Sequence, residues 1–297
     1  MPALFMLIGP SGSGKSTWAR KYVEHDSNTK IISSDHIRFE LYGDESIQTN
    51  PQEVFRIARE RMLSYFKDGY DVIFDATNLS IKDRKQTLQV LNKDIRRIAL
   101  IFAIPYQQCV ENQSKRSRTV DSSVIHNQIC KFQVPVESEN FDEIFFLKVN
   151  ETEVEKLRED VWNKVQDFDQ MNKHHSRKLF DHCYTTAQSL PFEIEYESDL
   201  YQAASIHDYG KAFTQTFFDL KGKPSLNAHY YGHDSYGAYL YCCCCDSPKL
   251  YIAQLINYHM LPYFMKTDKS IQKWSEILGS HLWQDLQVLN AADKHAK

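Results

Sequence analysis

The chain has 297 residues, of which 42% are hydrophobic and 25% are charged, with a formal net charge of −4. This length exceeds that of a typical single domain, and this composition excludes an intrinsically disordered chain. The negative charge excludes a protein that coats nucleic acid by bulk positive charge, so any contact with nucleic acid must be local.

The opening apolar run, Leu4 to Ile8, is short and lacks the basic start of a secretion signal. Nowhere else is an apolar stretch long enough to cross a bilayer, which predicts a cytoplasmic protein without a membrane partner. The seven cysteines include the unbroken run Cys242 to Cys245. Such a run is typical of neither a disulfide framework nor a spaced zinc site. We interpret it as reduced helix residues, with lipidation or redox chemistry as the alternative.

Short β-rich runs alternate with longer helical patterns in the first half of the chain. This alternation predicts a parallel five-stranded sheet flanked by helices, an α/β fold. Residues Val54, Ala58 and Met62 recur every four positions, as expected for a helix that lays one face on the sheet. The predicted strands are Leu4 to Ile8, Lys30 to Ser33, Val72 to Asp75, Ile98 to Ile104 and Glu143 to Val149.

The pattern changes after Asn150, where a charged stretch with helical spacing begins and few strand signals follow. We therefore expect a first domain at 1–150, a helical linker at 151–172 and a mainly α-helical second domain at 173–297. The helices predicted there are Lys173 to Leu190, Leu200 to Tyr209, Asp234 to Cys245, Pro248 to Leu261 and Gln284 to His295.

A phosphate-binding loop follows the first predicted strand and precedes a predicted helix. Its sequence matches the pattern G-x-x-x-x-G-K-[ST], and both neighbours are those that the pattern requires. Lys15 is expected to reach the β- and γ-phosphates of ATP, and the Ser16 hydroxyl to bind Mg²⁺. The predicted nucleotide-binding residues are Gly9, Pro10, Ser11, Gly12, Ser13, Gly14, Lys15, Ser16 and Thr17.

Asp35 and Arg38 follow the second predicted strand and lie one helical turn apart. A carboxylate at this place beside a nucleotide can accept a proton from an attacking hydroxyl. Arg38 can bind a phosphate of the acceptor through its planar guanidinium. The alternative is an aspartate that caps a helix, followed by a surface arginine.

Residues 1–150 resemble the 5′-hydroxyl polynucleotide kinase domain of bacteriophage end-repair enzymes. The resemblance rests on the loop, on Ser34 to Arg38, on Asp75 to Leu79 and on Ser114 to Arg116. It implies that Asp35 is the catalytic base, that Arg38 binds the acceptor and that Arg116 stabilises the transition state from a lid. Asp75 either orients Mg²⁺ or only caps the next helix.

One position departs from that family's lid. Asn112 stands where the family has another arginine, four residues before Arg116. Lys115 or Arg118 is expected to compensate for the missing charge.

Histidine and aspartate residues recur in order through the second half of the chain. Their order resembles that of the HD phosphohydrolase superfamily, which implies two divalent metals bridged by a carboxylate. The resemblance assigns His182, His207, Asp208 and Asp293 to the first metal, and His233 with His259 to the second. Mixed histidine and carboxylate ligands suit Mn²⁺, Ni²⁺, Co²⁺ or Fe²⁺.

Two further residues of this half carry weaker expectations. Lys211 is expected to stabilise charge on the leaving group. His229 either lines the site or packs beside Tyr230 and Tyr231, and packing is the favoured interpretation. The tyrosines from Tyr230 to Tyr241 either stack on bases or pack in the core, and core packing is favoured.

Both resemblances together predict an enzyme that heals broken nucleic-acid ends, as bacterial enzymes that join HD and polynucleotide kinase modules do. The P-loop domain would phosphorylate 5′-hydroxyl ends of RNA or DNA, and the HD domain would remove a 3′-phosphate or a 2′,3′-cyclic phosphate. No Lys-x-Asp-Gly motif is found, so sealing requires a separate ligase. The alternatives are a small-molecule or nucleoside kinase fused to a nucleotide phosphohydrolase, and a switch module that binds ATP or RNA without turnover. The patterns do not indicate an oligomeric state.

Overall fold

The structure is a computed structural model that describes residues 1–116, 119–172 and 177–296. The chain divides into two compact units. The first comprises Met1–Ile125 and Glu139–Lys148, and the second comprises His126–Ser138 and Val149–Lys297. The first unit therefore holds the phosphate-binding loop, and the second holds the histidine and aspartate residues singled out in the sequence.

Five parallel strands form the sheet of the first unit. They are β1 (Ala3–Ile8), β2 (Thr29–Ser33), β3 (Asp71–Asp75), β4 (Arg96–Ala103) and β5 (Glu143–Lys148). Their order across the sheet is β2-β3-β1-β4-β5. The five-stranded parallel sheet predicted from the sequence is thus confirmed, with strand ends that differ by at most two residues.

Helices flank this sheet. The central strands β1 and β4 are almost fully buried because helices cover both faces of a parallel sheet. Val54, Ala58 and Met62 are buried along one helix, as their four-residue spacing predicts. The helices are α1 (Lys15–His25), α2 (Ser34–Tyr42), α3 (Pro51–Lys67), α4 (Ile81–Leu88) and α5 (Tyr106–Ser114), followed by α6 (Ser122–Ile129), which runs into the second unit.

Hydrogen bonds fix the carboxyl ends of β1 and β3 against each other. The Gly9 N–H donates to Thr77 O at 3.0 Å, and the Asn78 side-chain amide donates to Leu7 O at 2.7 Å. The fully buried Arg84 donates to Asn78 O and pairs with the buried Glu139 at 2.7 Å. This network holds the edge of the sheet from which the phosphate-binding loop departs.

Helices dominate the second unit, which also contains one β-hairpin. No helix among the described residues is long and apolar enough to cross a membrane. The hairpin strands are β6 (Thr216–Phe218) and β7 (Pro224–His229). The helices are α7 (Glu151–Val165), α8 (Leu179–Gln188), α9 (Asp199–Ala204), α10 (Lys211–Thr214), α11 (His233–Cys244), α12 (Leu250–Tyr258), α13 (Leu261–Phe264), α14 (Asp268–Leu278) and α15 (Ser280–His295).

The hairpin and α14 are absent from the sequence-based prediction of this half. The hairpin turn is closed by Asp219, whose carboxylate accepts from the N–H groups of Lys221 and Lys223, and by Gly222 at φ 75°. These strands are short and largely exposed, so they lack the alternation of apolar and polar residues that marks a strand. The helix expected from Lys173 starts at Leu179, and Lys173 itself lies outside the described residues.

Residues 126–138 belong to the second unit, although the sequence pattern places them in the range 1–150. Side chains of α12 bind this segment. Asn257 accepts from the Val134 N–H at 2.8 Å and donates to Phe132 O at 3.1 Å, and Gln254 donates to Pro135 O at 2.6 Å. Such contacts over more than a hundred residues of sequence leave no local pattern.

We predict that Asn257→Ala lowers the free energy of unfolding of the second unit by about 1–3 kcal/mol, because buried backbone groups at Phe132 and Val134 lose their partner. Urea unfolding followed by circular dichroism measures the change. The exposed Asn227 provides a matched control, for which the same substitution should have little effect. Equal stability of both variants would contradict this account of the segment.

Candidate active sites

The phosphate-binding loop of the first unit is shaped by two glycines in the left-handed region. Gly12 has φ 82°, and Gly14, with φ 87°, is the N-cap of α1. A Cβ atom on Gly12 would lie 2.2 Å from the carbonyl oxygen of Cys109, so α5 packs directly on the loop. Backbone N–H groups at such a loop and at a helix N-terminus form a binding site for phosphate.

Lys15 is buried within the loop. Its ammonium donates to Gly9 O at 2.9 Å, to Pro10 O at 2.7 Å and to Ser13 Oγ at 3.2 Å. Burial lowers the pKa of Lys15, although the nearby carboxylates of Asp75 and Asp35 oppose the shift. The lysine is therefore held at the base of the loop, where a polyphosphate would supply the negative charge that it lacks.

Asp75 lies at the end of β3 and accepts a hydrogen bond from the Ser16 hydroxyl. Burial raises the pKa of Asp75, whereas Lys15 and Ser16 lower it. Carboxylate and hydroxyl oxygens are the ligands that Mg²⁺ prefers, so this pair fits a magnesium ion that accompanies ATP. Of the two interpretations of Asp75, this contact supports the one in which it orients Mg²⁺.

Asp35 and Arg38 form an ion pair on α2, with 2.8 Å between Arg38 Nη1 and Asp35 Oδ1. Ser33 is the N-cap of α2, because its hydroxyl accepts from the His36 N–H. The Arg38 side chain is only 9% exposed, and its Nε has no hydrogen-bond partner among the residues that the structure describes. The alternative of a capping aspartate with a surface arginine is therefore wrong.

Four residues of the expected lid were singled out in the sequence, and the structure describes three of them, which are placed differently. Arg116 is exposed, yet its charge acts on Lys15 and Asp75, so it lies near the loop. Lys115 is exposed at the end of α5, and Arg118 lies outside the described residues. Asn112 donates to Gly12 O at 2.9 Å. It holds the loop, which is a role that its place in the sequence does not reveal.

Four histidines and two aspartates of the second unit meet in a buried cluster. Asp208 lies between two groups of residues. Its Oδ2 is 3.2 Å from His182 Nε2 and 3.4 Å from His207 Nε2, and Asp293 Oδ1 is 3.1 Å from the same His182 nitrogen. In this first group, the ligand atoms of the four residues all lie within 4.8 Å of one another.

The second group faces the other oxygen of the same carboxylate. Asp208 Oδ1 is 3.2 Å from His233 Nε2 and 3.4 Å from His259 Nε2, and these two nitrogens are 3.3 Å apart. A carboxylate with one oxygen in each group is the arrangement that bridges two cations. The structure thus brings together all six residues that the HD resemblance assigned to its two metals.

Backbone carbonyls orient three of the imidazoles. The Nδ1 atoms of His207, His233 and His259 lie 2.8, 2.7 and 2.7 Å from the carbonyl oxygens three residues earlier. Because a carbonyl oxygen only accepts, each Nδ1 carries a proton, so Nε2 is the nitrogen that faces the cluster and that acts as an acceptor whenever the ring is neutral. The Nε2 atoms of His233 and His259 lie 3.3 Å apart. Two accepting nitrogens at this distance repel each other unless a cation or a proton lies between them. The donor set therefore fits divalent metal ions.

The charges of the cluster also favour bound cations. Burial opposes charge on Asp208, but Lys211 and His207 hold its pKa well below the usual range. Burial also opposes charge on His207, yet the Asp208 carboxylate holds the pKa of His207 well above the usual value. The carboxylates of this dry site thus require nearby positive charge, which bound cations would supply.

Neighbouring side chains hold the cluster in place. Lys211 lies 2.5 Å from Asp208 Oδ2 and donates to Gln170 Oε1 at 2.9 Å. Tyr263 donates to Asp293 Oδ2 at 2.7 Å. The sequence analysis missed Gln170 and Tyr263, because an isolated glutamine or tyrosine carries no spacing signal. Gln170 lies in the range expected to be a linker.

The remaining candidates lie outside the cluster. His229 stacks on Tyr231 with ring centres 5.4 Å apart and belongs to neither group of ligands, in agreement with the favoured packing interpretation. Tyr236 and Tyr239 are core residues. Of the run from Cys242 to Cys245, the first three cysteines lie on α11 and Cys245 is its C-cap, which agrees with their interpretation as helix residues.

Comparison with protein families matches residues 4–135 to the AAA domain. The match spans less than half of the chain and lies almost entirely in the first unit. The first unit fits a P-loop kinase domain. Together with the geometry of the loop, this match supports binding of ATP with Mg²⁺ by the first unit. A comparison with curated proteins finds no match.

Several solved structures are similar to part of the chain. A chain of the Pnkp1/Rnl/Hen1 RNA repair complex is 23% identical over 48% of this chain and 46% of that one, with a TM-score of 0.42. A fungal RNA kinase is 19% identical over 56% and 86%, with a TM-score of 0.39. A gluconokinase from Sinorhizobium meliloti 1021 is 17% identical over 55% and 97%, with a TM-score of 0.37. The chain thus spans less than half of the length of the RNA repair protein.

We predict that Gly12→Ala weakens ATP binding about tenfold or more, or ~1.4 kcal/mol, since the new methyl group would collide with the Cys109 carbonyl. Isothermal titration calorimetry with ATP and Mg²⁺ measures the affinity. Gly43→Ala is the matched control, because Gly43 also has a positive φ, 72°, but its Cβ would meet nothing within 4 Å. An unchanged affinity for Gly12→Ala would contradict the assignment of the loop.

Proposed function

We propose that this chain is a bifunctional enzyme that heals broken nucleic-acid ends, with RNA as the favoured substrate. The kinase domain transfers the γ-phosphate of ATP to a 5′-hydroxyl end. The metal cluster of the second unit removes a 3′-phosphate or opens and removes a 2′,3′-cyclic phosphate. One observation carries the proposal: the same chain holds Asp35 and Arg38 beside a P-loop and a buried two-group metal cluster around Asp208.

In the kinase domain, Asp35 is the proposed base. Its side chain is half exposed beside Lys15, so an acceptor hydroxyl can reach it. As the acceptor oxygen attacks the γ-phosphorus, its proton passes to Asp35 and ADP leaves. The ion pair with Asp35 holds the Arg38 guanidinium beside the proposed base, where it would bind a phosphate of the acceptor strand. Lys15 and Arg116 offset the charge of the transferred group.

In the second unit, the Asp208 cluster is the proposed site of phosphate ester hydrolysis. Divalent metals in such a site supply a nucleophile from water near neutral pH and offset phosphate charge. The four imidazoles, three of them oriented by backbone carbonyls, and the two carboxylates would hold those cations. Lys211 adds positive charge beside Asp208, where charge on the departing oxygen would develop. Sealing of the healed ends requires a separate ligase.

The kinase assignment predicts that Asp35→Asn lowers transfer of labelled γ-phosphate to a 5′-hydroxyl RNA by about 100-fold or more. The affinity for ATP should stay within about twofold, since Asp35 does not belong to the loop. Transfer is measured by gel electrophoresis, and affinity is measured by calorimetry.

Glu40→Gln on the same helix is the control for this experiment, because Glu40 pairs with Arg61 on the surface. Its transfer rate should equal that of the native enzyme. Native enzyme that phosphorylates nucleosides or metabolites but no oligonucleotide would instead support the small-molecule kinase. Native enzyme that binds ATP without any transfer would support the switch module.

The hydrolase assignment predicts that Asp208→Asn abolishes removal of a 3′-phosphate while the 5′-kinase activity remains. Changes around metal ligands typically cost 10–100-fold in activity, so loss of the bridging ligand should cost at least about 100-fold. A single RNA with a 5′-hydroxyl and a 3′-phosphate reports both reactions. Asp35→Asn should show the reverse pattern and is thus the matched control. Loss of both activities in either variant, with circular dichroism unchanged, would contradict two independent sites.

A further inference from the structure

A cavity of about 430 Å³ opens in the second unit, outside the metal cluster. This volume lies within the range of about 300–1,000 Å³ that is typical of small-molecule sites. Among the described residues, those that line the cavity combine aromatic rings, side-chain amides and the ammonium of Lys131, and none of them is a carboxylate. The residues that matter for its chemistry are His126, Asn127, Lys131, Phe213, Gln215 and Tyr231.

Two sides of the cavity are formed by residues that are close in sequence to members of the Asp208 cluster. Tyr231 and Gly232 immediately precede the ligand His233, and the stretch from Phe213 to Thr216 follows Lys211 by two residues. Tyr230 joins both sides, because its hydroxyl accepts from Gln215 Nε2 at 3.2 Å and its carbonyl accepts from His233 Nδ1 at 2.7 Å. The cavity lining is thus linked to two residues of the cluster, His233 through Tyr230 and Gly232, and Lys211 through the start of the Phe213 to Thr216 stretch.

Tyr231 offers a flat surface for a second ring. One contact of its ring is the parallel stack on His229, with 5.4 Å between centres and 9° between planes. The residue is nevertheless 38% exposed and lines the cavity. Phe213 differs, because Tyr236 stacks on it at 5.4 Å and Lys164 lies 4.8 Å from its centre. Phe213 is therefore packed within the cavity lining, and Tyr231 is the ring on which a base of the ligand would stack.

A third wall comes from residues 126–131, and close packing fixes its position. Gly232 has φ 74°, and a Cβ atom there would lie 2.6 Å from the carbonyl oxygen of Cys130. The ring of His126 contacts that of Tyr236 with 5.4 Å between centres. This wall brings the amide of Asn127 and the ammonium of Lys131 to the rim, where both are exposed.

We propose that this cavity binds the base and ribose of the terminal nucleotide whose phosphate ester is hydrolysed at the Asp208 cluster. Base stacking on Tyr231 is sequence-tolerant, as required for an enzyme that acts on ends of any sequence. The side-chain amides supply hydrogen bonds to base edges, and Lys131 at the rim attracts the phosphate of the preceding nucleotide. This inference rests on the proposed hydrolase function and adds where the terminal nucleoside of its substrate binds.

The test compares two substrates, a short RNA with a 3′-phosphate and phenyl phosphate, which lacks base and ribose. Both are hydrolysed with Mn²⁺ by the full chain, its Tyr231→Ala and Tyr231→Phe variants and the control Phe192→Ala, in which a fully exposed ring is removed. Tyr231→Ala should raise KM for the RNA about fivefold or more, since an aromatic platform contributes this much per stacked base. KM for phenyl phosphate should not change. Tyr231→Phe keeps the ring and should behave as native enzyme.

Two outcomes would overturn the cavity assignment: an unchanged KM for RNA in Tyr231→Ala, or an equal rise for both substrates. Native enzyme that hydrolyses neither substrate would reject the hydrolase function instead. In that case, the affinity for uridine 3′-monophosphate, measured by calorimetry, tests the cavity. Any binding of this nucleotide to the P-loop is the same in all variants, so a difference between them reports binding in the cavity. Weaker binding by Tyr231→Ala than by Phe192→Ala would uphold the cavity, and equal binding would overturn it.

Discussion

The carboxylate of Asp208, only 2% exposed to solvent, is the constraint around which the second unit is organised. A buried anion is costly unless positive charge and hydrogen-bond donors surround it. Here the ammonium of Lys211 lies on one side, and four imidazoles approach the two oxygens in pairs. Three of those rings are oriented by the backbone carbonyl three residues earlier. The local backbone conformation therefore determines which nitrogen of each ring faces Asp208. This buried set of carboxylates and imidazoles has the composition and spacing of a group that could hold divalent cations.

In the first unit, the position of the phosphate-binding loop depends on a different constraint. The carboxyl ends of β1 and β3 are held together by hydrogen bonds. The Asn78 amide and the Gly9 N–H tie these ends together, and the buried pair of Arg84 with Glu139 supports the turn that follows β3. The phosphate-binding loop therefore starts from a rigid edge, with Ser16 against Asp75 and the pair of Asp35 and Arg38 at the end of the neighbouring strand. Phosphoryl transfer depends mainly on such positioning and on fixed charge.

The parallel sheet and the loop were accessible from the sequence, because apolar runs and glycines leave a local pattern. Of the cluster, only the adjacent pair of His207 and Asp208 leaves such a pattern, and the full set of six followed from the order shared with the HD superfamily. Features that depend on distant partners were not accessible. Residues 126–138 join the second unit through Asn257 and Gln254, and Asn112 holds Gly12 across a hundred residues. Gln170 and Tyr263 orient Lys211 and Asp293 without any motif. The short hairpin of β6 and β7 is mostly exposed, so hydrophobic periodicity could not reveal it.

The central claim is that Asp208 bridges two cations in a hydrolytic centre. A crystal of the full chain grown with Mn²⁺, with anomalous difference density recorded near the manganese absorption edge, tests this claim most directly. The account predicts two peaks, one on the Oδ2 side of Asp208 with His182, His207 and Asp293, and one on the Oδ1 side with His233 and His259. Density without a peak at Asp208, or with peaks only on the protein surface, would contradict it.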